Sequence, residues 1–337
     1  MNVLSKALIE KEKTCKPIWF MRQAGRYLPE FRKIRKKNQN FINLCLDSNL
    51  SSEITLQPIE RYNLDAAIIF SDILLVPYAL GQKVNFIEGK GPTLSNFSFE
   101  KFKSIRKSNF LDTLSPVYEA ISKTRKKLDK DKSLIAFVGA PWTLLIYMLN
   151  LKKNKEEIRL SKLENLDINI MELFTKLNEY LCLHIKSQIS AGADVVQIFD
   201  SWAGLLPKAD LKNFCYIPNL KLVEFCKKEK TPVICFPKGL KEDYLAFNKI
   251  VKPDGLNLDS LINPRWAKSK LSNVVLQGGM NPLILLESNE KILAEAKKYL
   301  DIFKDVPYIF NLGHGLVPET DPDKLKSLIE YVRNFRK

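Results

Sequence analysis

The stretch Pro17-Ile18-Trp19-Phe20-Met21-Arg22-Gln23-Ala24-Gly25-Arg26-Tyr27-Leu28-Pro29-Glu30 passes from apolar to polar to helix-starting residues within one short span. Residues 17–21 are bulky and uncharged, which reads as a buried strand. Pro29 followed by Glu30 is first-turn helix chemistry: proline loses no hydrogen bond there, and an acid suits the positive helix end. Residues 22–28 are then a connecting loop, in which Gly25 is free to take a positive φ. Strand, short loop and helix make one β/α unit.

The unit recurs along the chain. Further candidate strands lie at 66–71, 134–138, 194–199, 232–236, 254–258, 273–277 and 307–311, eight in all with 17–21. Amphipathic segments separate them, and 168–190 is the clearest. There Ile170, Leu173, Phe174, Leu177, Leu181, Ile185 and Ile189 form one stripe at three- and four-residue spacing. Eight short strands, apolar on both faces and alternating with helices, predict an α/β fold of the (β/α)8 TIM-barrel type. An open doubly wound sheet is the alternative, but no G-x-G-x-x-G follows the first strand. No Pro/Gly/Ser-rich linker and no repeat divides the chain, so residues 1–337 read as a single domain. The extra length falls in an N-terminal helix and in the excursion between the first two strands.

Composition removes several function classes. With 45% hydrophobic and 27% charged residues, the 337-residue chain has the balance of an ordinary globular protein. Its net charge of +15 suits a polyanionic partner, whether nucleic acid, membrane surface or small polycarboxylate. Yet the basic residues collect in runs such as Lys33-Ile34-Arg35-Lys36-Lys37, Lys123-Thr124-Arg125-Lys126-Lys127 and Lys152-Lys153-Asn154-Lys155. Such runs are the mark of solvated helix faces. A nucleic-acid binder would interleave them with exposed aromatics, and the sequence has no such pattern. The six cysteines (15, 45, 182, 215, 226 and 235) include no C-x-x-C pair and no Cys/His ligand spacing, so no metal is expected. Early charges at Glu10, Lys11, Glu12 and Lys13 leave no room for a signal-peptide core, and a cytoplasmic location is expected. Residues 133–151 are uncharged over nearly the length of a membrane span, but Gly139-Ala140-Pro141 interrupts them. Strand, turn and helix explain that stretch better, and no membrane association is expected.

In a (β/α)8 barrel the working residues sit just past the carboxyl ends of the strands. Those positions are Arg22 to Arg26, Asp72, Gly139 to Trp142, Asp200-Ser201, Lys238-Gly239, Asp259, Gly278 to Asn281 and Gly313-His314-Gly315. The polar and glycine content of the chain gathers there. Arg22 and Arg26 can each fork onto a carboxylate, or else pair with structural partners. Asp72 is either an N-cap for the next helix or a carboxylate that stabilises a developing cation. His184 sits within the amphipathic helix and reads as structural. His314, bracketed by glycines, is either a substrate contact or proton-transfer group, or a turn residue. Tyr147 is either a core tyrosine or one whose hydroxyl reaches the cleft. Ser201 lacks a G-x-S-x-G elbow, so it binds or caps rather than attacks.

Five ordered blocks carry a resemblance. They are residues 17–30 quoted above, Ile68-Ile69-Phe70-Ser71-Asp72-Ile73-Leu74, Gly139-Ala140-Pro141-Trp142-Thr143, Phe199-Asp200-Ser201-Trp202-Ala203-Gly204 and Phe310-Asn311-Leu312-Gly313-His314-Gly315. Together they resemble the uroporphyrinogen decarboxylase family, in order from about residue 3 to the C-terminus. The resemblance implies a (β/α)8 barrel, a homodimer, and action on uroporphyrinogen III in haem biosynthesis without cofactor or metal. The four ring acetates become methyls, giving coproporphyrinogen III. It further implies that Arg22, Gln23, Ala24, Gly25 and Arg26 bind substrate. Asp72, Tyr147, Ser201 and His314 would line the same cleft, with Asp72 stabilising the transition state. A competing class on this fold moves methyl groups from corrinoids to thiols on zinc held by His and Cys. It needs a cleft His-x-Cys, and neither histidine here has a cysteine two residues on.

Overall fold

A computed structural model describes residues 1–14, 16–87, 91–151 and 169–335. Cys15 and the Lys152–Lys155 run lie outside the described residues. Seven parallel strands form one curled sheet: β1 Ala66–Ile68, β4 Ser133–Gly139, β5 Val195–Asp200, β6 Val233–Pro237, β7 Gly255–Leu258, β8 Val275–Gly278 and β9 Tyr308–Ile309. Their spatial order follows the chain, each strand pairing with its sequence neighbour in the sheet through a returning helix. A separate antiparallel pair, β2 Val84–Ile87 and β3 Gly91–Leu94, stands outside this sheet.

The strand expected over 17–21 is the principal departure. It contributes one isolated parallel bridge, Ile18 to Phe310, rather than a ladder. Phe310 N donates to Pro17 O at 2.8 Å, Trp19 N donates to Phe310 O at 3.3 Å, and Asp65 N donates to Ile18 O at 3.1 Å. Side chains then take over the remaining donors. Phe20 N is bonded to Gln23 Oε1 at 3.0 Å and Met21 N to Asn311 Oδ1 at 3.3 Å. Among the described residues the sheet therefore has seven strands. The 66–71 strand shortens for the same reason, because Phe70 N donates to Thr55 Oγ1 at 2.8 Å instead of to a neighbouring strand.

Inside the curl, Trp19, Met21, Ala66, Ile68, Ile135, Val195, Ile234, Phe236, Val275 and Ile309 pack together with Leu4, Ala7 and Leu8. The last three belong to helix Val3–Ile9, which lies against the amino ends of the strands. There Val3 N donates to Asp131 O at 3.2 Å. A Cβ on Gly255 would stand 2.8 Å from Leu8 Cδ2, so only glycine lets this helix seat so closely. A polar belt crosses the interior: Trp19 Nε1 donates to Gln277 Oε1 at 2.9 Å, and Gln277 Nε2 donates to Asn257 Oδ1 at 2.7 Å. Pairing these groups is what makes their burial tolerable.

The larger apolar layer lies between the outer strand faces and the surrounding helices. Helix Ile170–Ser190 turns Leu173, Leu177, Leu181 and Ile185 inward, as its sequence stripe predicts. Residues 133–148 form strand β4, a turn and helix Pro141–Met148. Among the described residues, no helix is long and apolar enough to cross a membrane. The basic residues of the two described runs are mostly exposed on helices Pro29–Lys37 and Lys107–Lys127.

Candidate active site

The loop after Met21 is built to hold one arginine. Arg22 sits at φ +61°, a left-handed conformation that non-glycine residues seldom adopt. The turn that forces it is tied down on all sides. Gln23 N donates to Phe20 O at 3.1 Å, Leu28 N to Gly25 O at 3.0 Å, and the Tyr27 hydroxyl to Gln23 O at 2.8 Å. A Cβ on Gly25 would lie 2.9 Å from Arg22 O, so the fold of the loop also requires that glycine. Pro29 then opens helix Pro29–Lys37, with Glu30 in its first turn.

Members of this loop play different parts. The Gln23 side chain is fully buried, accepting from Phe20 N and donating through Nε2 to Ala66 O at 3.1 Å. It shapes the loop and presents no amide to the cleft. Ala24 and Gly25 are half-buried, and Arg26 is exposed further along, with its carbonyl held by Arg32 Nη1 at 2.9 Å. Arg22 is the exposed residue around which the site gathers. Its positive charge acts on Asp72, Tyr147, Lys238 and His314, which come from four other segments.

Asp72 emerges just beyond β1. Its Oδ1 accepts from Leu74 N at 2.8 Å, a local turn bond that realises part of the capping alternative. Helix Leu75–Ala79 begins after Leu74, without a side-chain cap. Burial pushes the Asp72 carboxyl up to about 6, against the opposing pull of the Leu74 N–H and the Arg22 charge. A carboxylate so placed is ionised at neutral pH and poorly solvated, ready to meet a cation or an N–H group.

His314 Nδ1 accepts from the Gly315 backbone N–H at 2.6 Å, which leaves Nε2 to carry the proton of the neutral ring. Its pKa is lowered to about 4 by burial, reinforced by Lys238 and Arg22. The ring stands edge-on to Phe236 at 6.5 Å. Tyr147, on helix Pro141–Met148, turns a half-buried side chain towards Asp72 and Arg22, and burial raises its phenol. Ser201 is half-buried as the first residue past β5.

Three phenylalanines escaped the sequence reading, while Lys238 stands where that reading put it. Phe137, Phe199 and Phe236 occupy inward positions at the carboxyl ends of β4, β5 and β6, with Phe137 and Phe199 edge to face at 5.6 Å. They give the mouth an aromatic floor. Their signal was alternate-residue spacing from the buried interior positions Ile135, Val195 and Ile234. Lys238, half-buried after β6, adds a second cation whose pKa is lowered by burial. By contrast, Asp200 and Asp259 are buried fixtures of the fold. Asp259 accepts from Gly239 N at 2.8 Å, Tyr244 Oη at 3.3 Å and Leu261 N at 3.0 Å. His184 is buried beside the Tyr118 hydroxyl at 3.0 Å, and its pKa is lowered to about 3, which suits the structural reading. Among the described residues, no group of three His, Cys, Asp or Glu is arranged to hold a metal ion.

A parallel α/β sheet carries Arg22, Lys238 and the carboxylate Asp72 at the carboxyl ends of its strands, around an aromatic floor, a charge pattern that suits an enzyme acting on a polycarboxylate. The chain belongs to the uroporphyrinogen decarboxylase family, a family of carboxy-lyases: the family model for uroporphyrinogen decarboxylase matches residues 2–335. The uroporphyrinogen decarboxylase of Rickettsia felis is 44% identical over 324 residues, covering 95% of this chain and 93% of that one. That of Rickettsia bellii is 43% identical over 325 residues, covering 95% of both. Among solved structures, a methyltransferase from Methanosarcina mazei superposes with a TM-score of 0.78 at 18% identity, covering 99% of this chain and 98% of that one. At that identity the likeness speaks for the fold alone.

Proposed function

We propose that this chain removes CO2 from the four acetate side chains of uroporphyrinogen III, giving coproporphyrinogen III in haem biosynthesis. The observation that carries the reading is Asp72, at the carboxyl end of β1, whose carboxyl burial pushes up to about 6 and on which Arg22 acts. Losing CO2 from an acetate needs an electron sink. A pyrrole ring protonated on carbon supplies one without any cofactor. The bond between methylene and carboxylate breaks, its electron pair moves into the cationic ring, and a proton delivered to the exocyclic carbon completes the methyl. Loss of the ring proton then restores the pyrrole.

Asp72 accepts hydrogen bonds from the pyrrole N–H groups and stabilises the cationic ring. Arg22 and Arg26 hold side-chain carboxylates, and the loop backbone at Gln23, Ala24 and Gly25 borders them. Tyr147, Ser201 and His314 complete the wall, and His314, neutral with a proton on Nε2, is a donor to substrate oxygen. In this reading residues 17–21 act as the eighth stave of a (β/α)8 barrel, supported by their bonds to both Phe310 and Asp65. The enzyme is a homodimer, as the family resemblance implies, in the cytoplasm, as the free thiols and early charges suggest; Leu261, 81% exposed, and Leu283 are apolar surface such pairing would cover. Sedimentation of the purified protein tests the dimer.

Anaerobic incubation with uroporphyrinogen III, followed by oxidation and chromatography of the porphyrins, tests the function. Coproporphyrin is the expected product. A folded protein that leaves uroporphyrin unchanged overturns the proposal.

A further inference from the structure

Behind the cleft wall, Asp200 is buried on the outer face of β5 and receives three side-chain donors. Thr143 Oγ1 donates to Oδ1 at 2.7 Å, while Asn219 Nδ2 and Cys215 Sγ donate to Oδ2 at 3.0 and 3.3 Å. With its proton committed to Asp200, Thr143 Oγ1 accepts from Trp202 N at 3.2 Å. The other side of that residue is fixed too, because Trp142 Nε1 donates to Trp202 O at 2.9 Å. Both bonds come from helix Pro141–Met148, the element that also carries Tyr147. The Trp202 ring meets Tyr147 edge-on, at 6.1 Å and 64° between planes. The charges of Asp72 and Arg22 both act on the Tyr147 hydroxyl.

Stapling β5 to the helix behind it would need only the Asn219 and Cys215 bonds. Routing the other carboxylate oxygen through Thr143 into the backbone of Trp202 fixes where the indole against Tyr147 stands. A buried carboxylate that accepts three side-chain donors strongly restricts how those side chains can be arranged, and that is what gives the chain directional stiffness. We propose that Asp200 and Thr143 are positioning residues, which act through Trp202 to hold the Tyr147 hydroxyl towards Asp72. The functional part rests on the reading of the Asp72 cleft as the decarboxylating site.

Two measurements test the relay, and the first needs no substrate. With 15N-labelled tryptophan the four tryptophans give four indole N–H resonances, and Trp202→Phe identifies the one from Trp202. Thr143→Val and Tyr147→Phe should each move that resonance, and Thr143→Ser should return it to its wild-type position. An unmoved resonance in Thr143→Val overturns the relay. On turnover, Thr143→Val should lower kcat on the order of tenfold with KM little changed, because misplacement by a fraction of an ångström suffices. Thr143→Ser should restore most of it. In a Tyr147→Phe background, Thr143→Val should cost nothing further, since both changes remove the same contact. Additive losses mean a merely structural threonine and overturn the proposal. Should Thr143→Val not fold, the half-exposed Trp202→Phe carries the same cycle with Tyr147→Phe. If the wild-type protein leaves uroporphyrinogen III untouched, the proposed function fails, while the indole shifts still decide the relay.

Discussion

Arg22 runs through space that Gly315 leaves empty: a Cβ on Gly315 would stand 2.6 Å from Arg22 Cγ and 3.0 Å from Nε. The two residues come from opposite ends of the chain, and the glycine between His314 and Leu316 is there for the arginine. The Arg22 backbone is already held at φ +61° by its own loop, so the side chain has little freedom to retreat. Gly315→Ala should therefore displace the guanidinium without touching its charge. A displaced carboxylate clamp loses a charge-assisted bond of about 1.5–3 kcal/mol, roughly a ten- to hundredfold rise in KM. Steady-state kinetics on uroporphyrinogen III would read it, and an unchanged KM would count against Arg22 as the clamp.

Asp72→Asn keeps the shape of the side chain and removes its charge. Loss of one preorganised charge costs about 3 kcal/mol in the transition state, near two orders of magnitude in kcat. Near-full turnover by the folded variant would remove Asp72 from its assigned part.

The same carboxyl sets a pH dependence with opposite signs for activity and stability. Its folded value, about 6, lies above the ordinary 3.8. Activity needs the ionised form, so kcat/KM should fall as the pH drops through about 6. The folded protein binds this proton more tightly than the unfolded chain does, so the group costs stability above about pH 6 and costs none at or below the ordinary value. Asp72→Asn should accordingly melt higher than wild type near pH 8, with the gain vanishing near pH 4. A melting curve at each pH decides it.

His314 titrates too low to account for that limb. With its pKa lowered to about 4, it stays neutral wherever the enzyme works. His314→Asn should lower activity through a lost contact while the acid limb remains near pH 6. A limb that shifts or disappears in the pH–rate profile of this variant would assign it to the histidine instead.

Gln23 belongs to the loop proposed to bind substrate, yet its side chain serves the fold. Gln23→Ala leaves Phe20 N and Ala66 O without their partner, a loss of about 1–3 kcal/mol. The expected result is a melting temperature lower by several degrees, with KM little altered in the folded fraction. An intact melting temperature with a raised KM would point to direct substrate contact.

Much of this arrangement was legible from residue types. The loop at 22–28, the helix starting at Pro29 and the stripe along Ile170–Ser190 followed from local chemistry that no distant contact overrides. The strand at 17–21 did not form as one because Gln23 and Asn311 supply acceptors from side chains, and period alone cannot weigh those against a ladder. Phe199 and Asp200 show a harder limit. They are neighbours in β5, one facing the cleft and the other buried behind it. Strands buried on both faces lack the apolar–polar alternation that would say which is which.

By itself, then, the sequence determined that strands and helices alternate, which loops hold cations and carboxylates, and which family the chain belongs to, because those properties are local or are carried by ordered motifs. The tertiary structure decided which of these residues meet. Curling of the sheet sets the first loop against the last, so that Arg22 crosses Gly315 beside His314. Side-chain parity put the phenylalanines on the floor and Asp200 behind the wall. Burial, which depends on the whole packed chain, is what lifts Asp72 to about 6 and leaves it a poorly solvated charge facing the cleft.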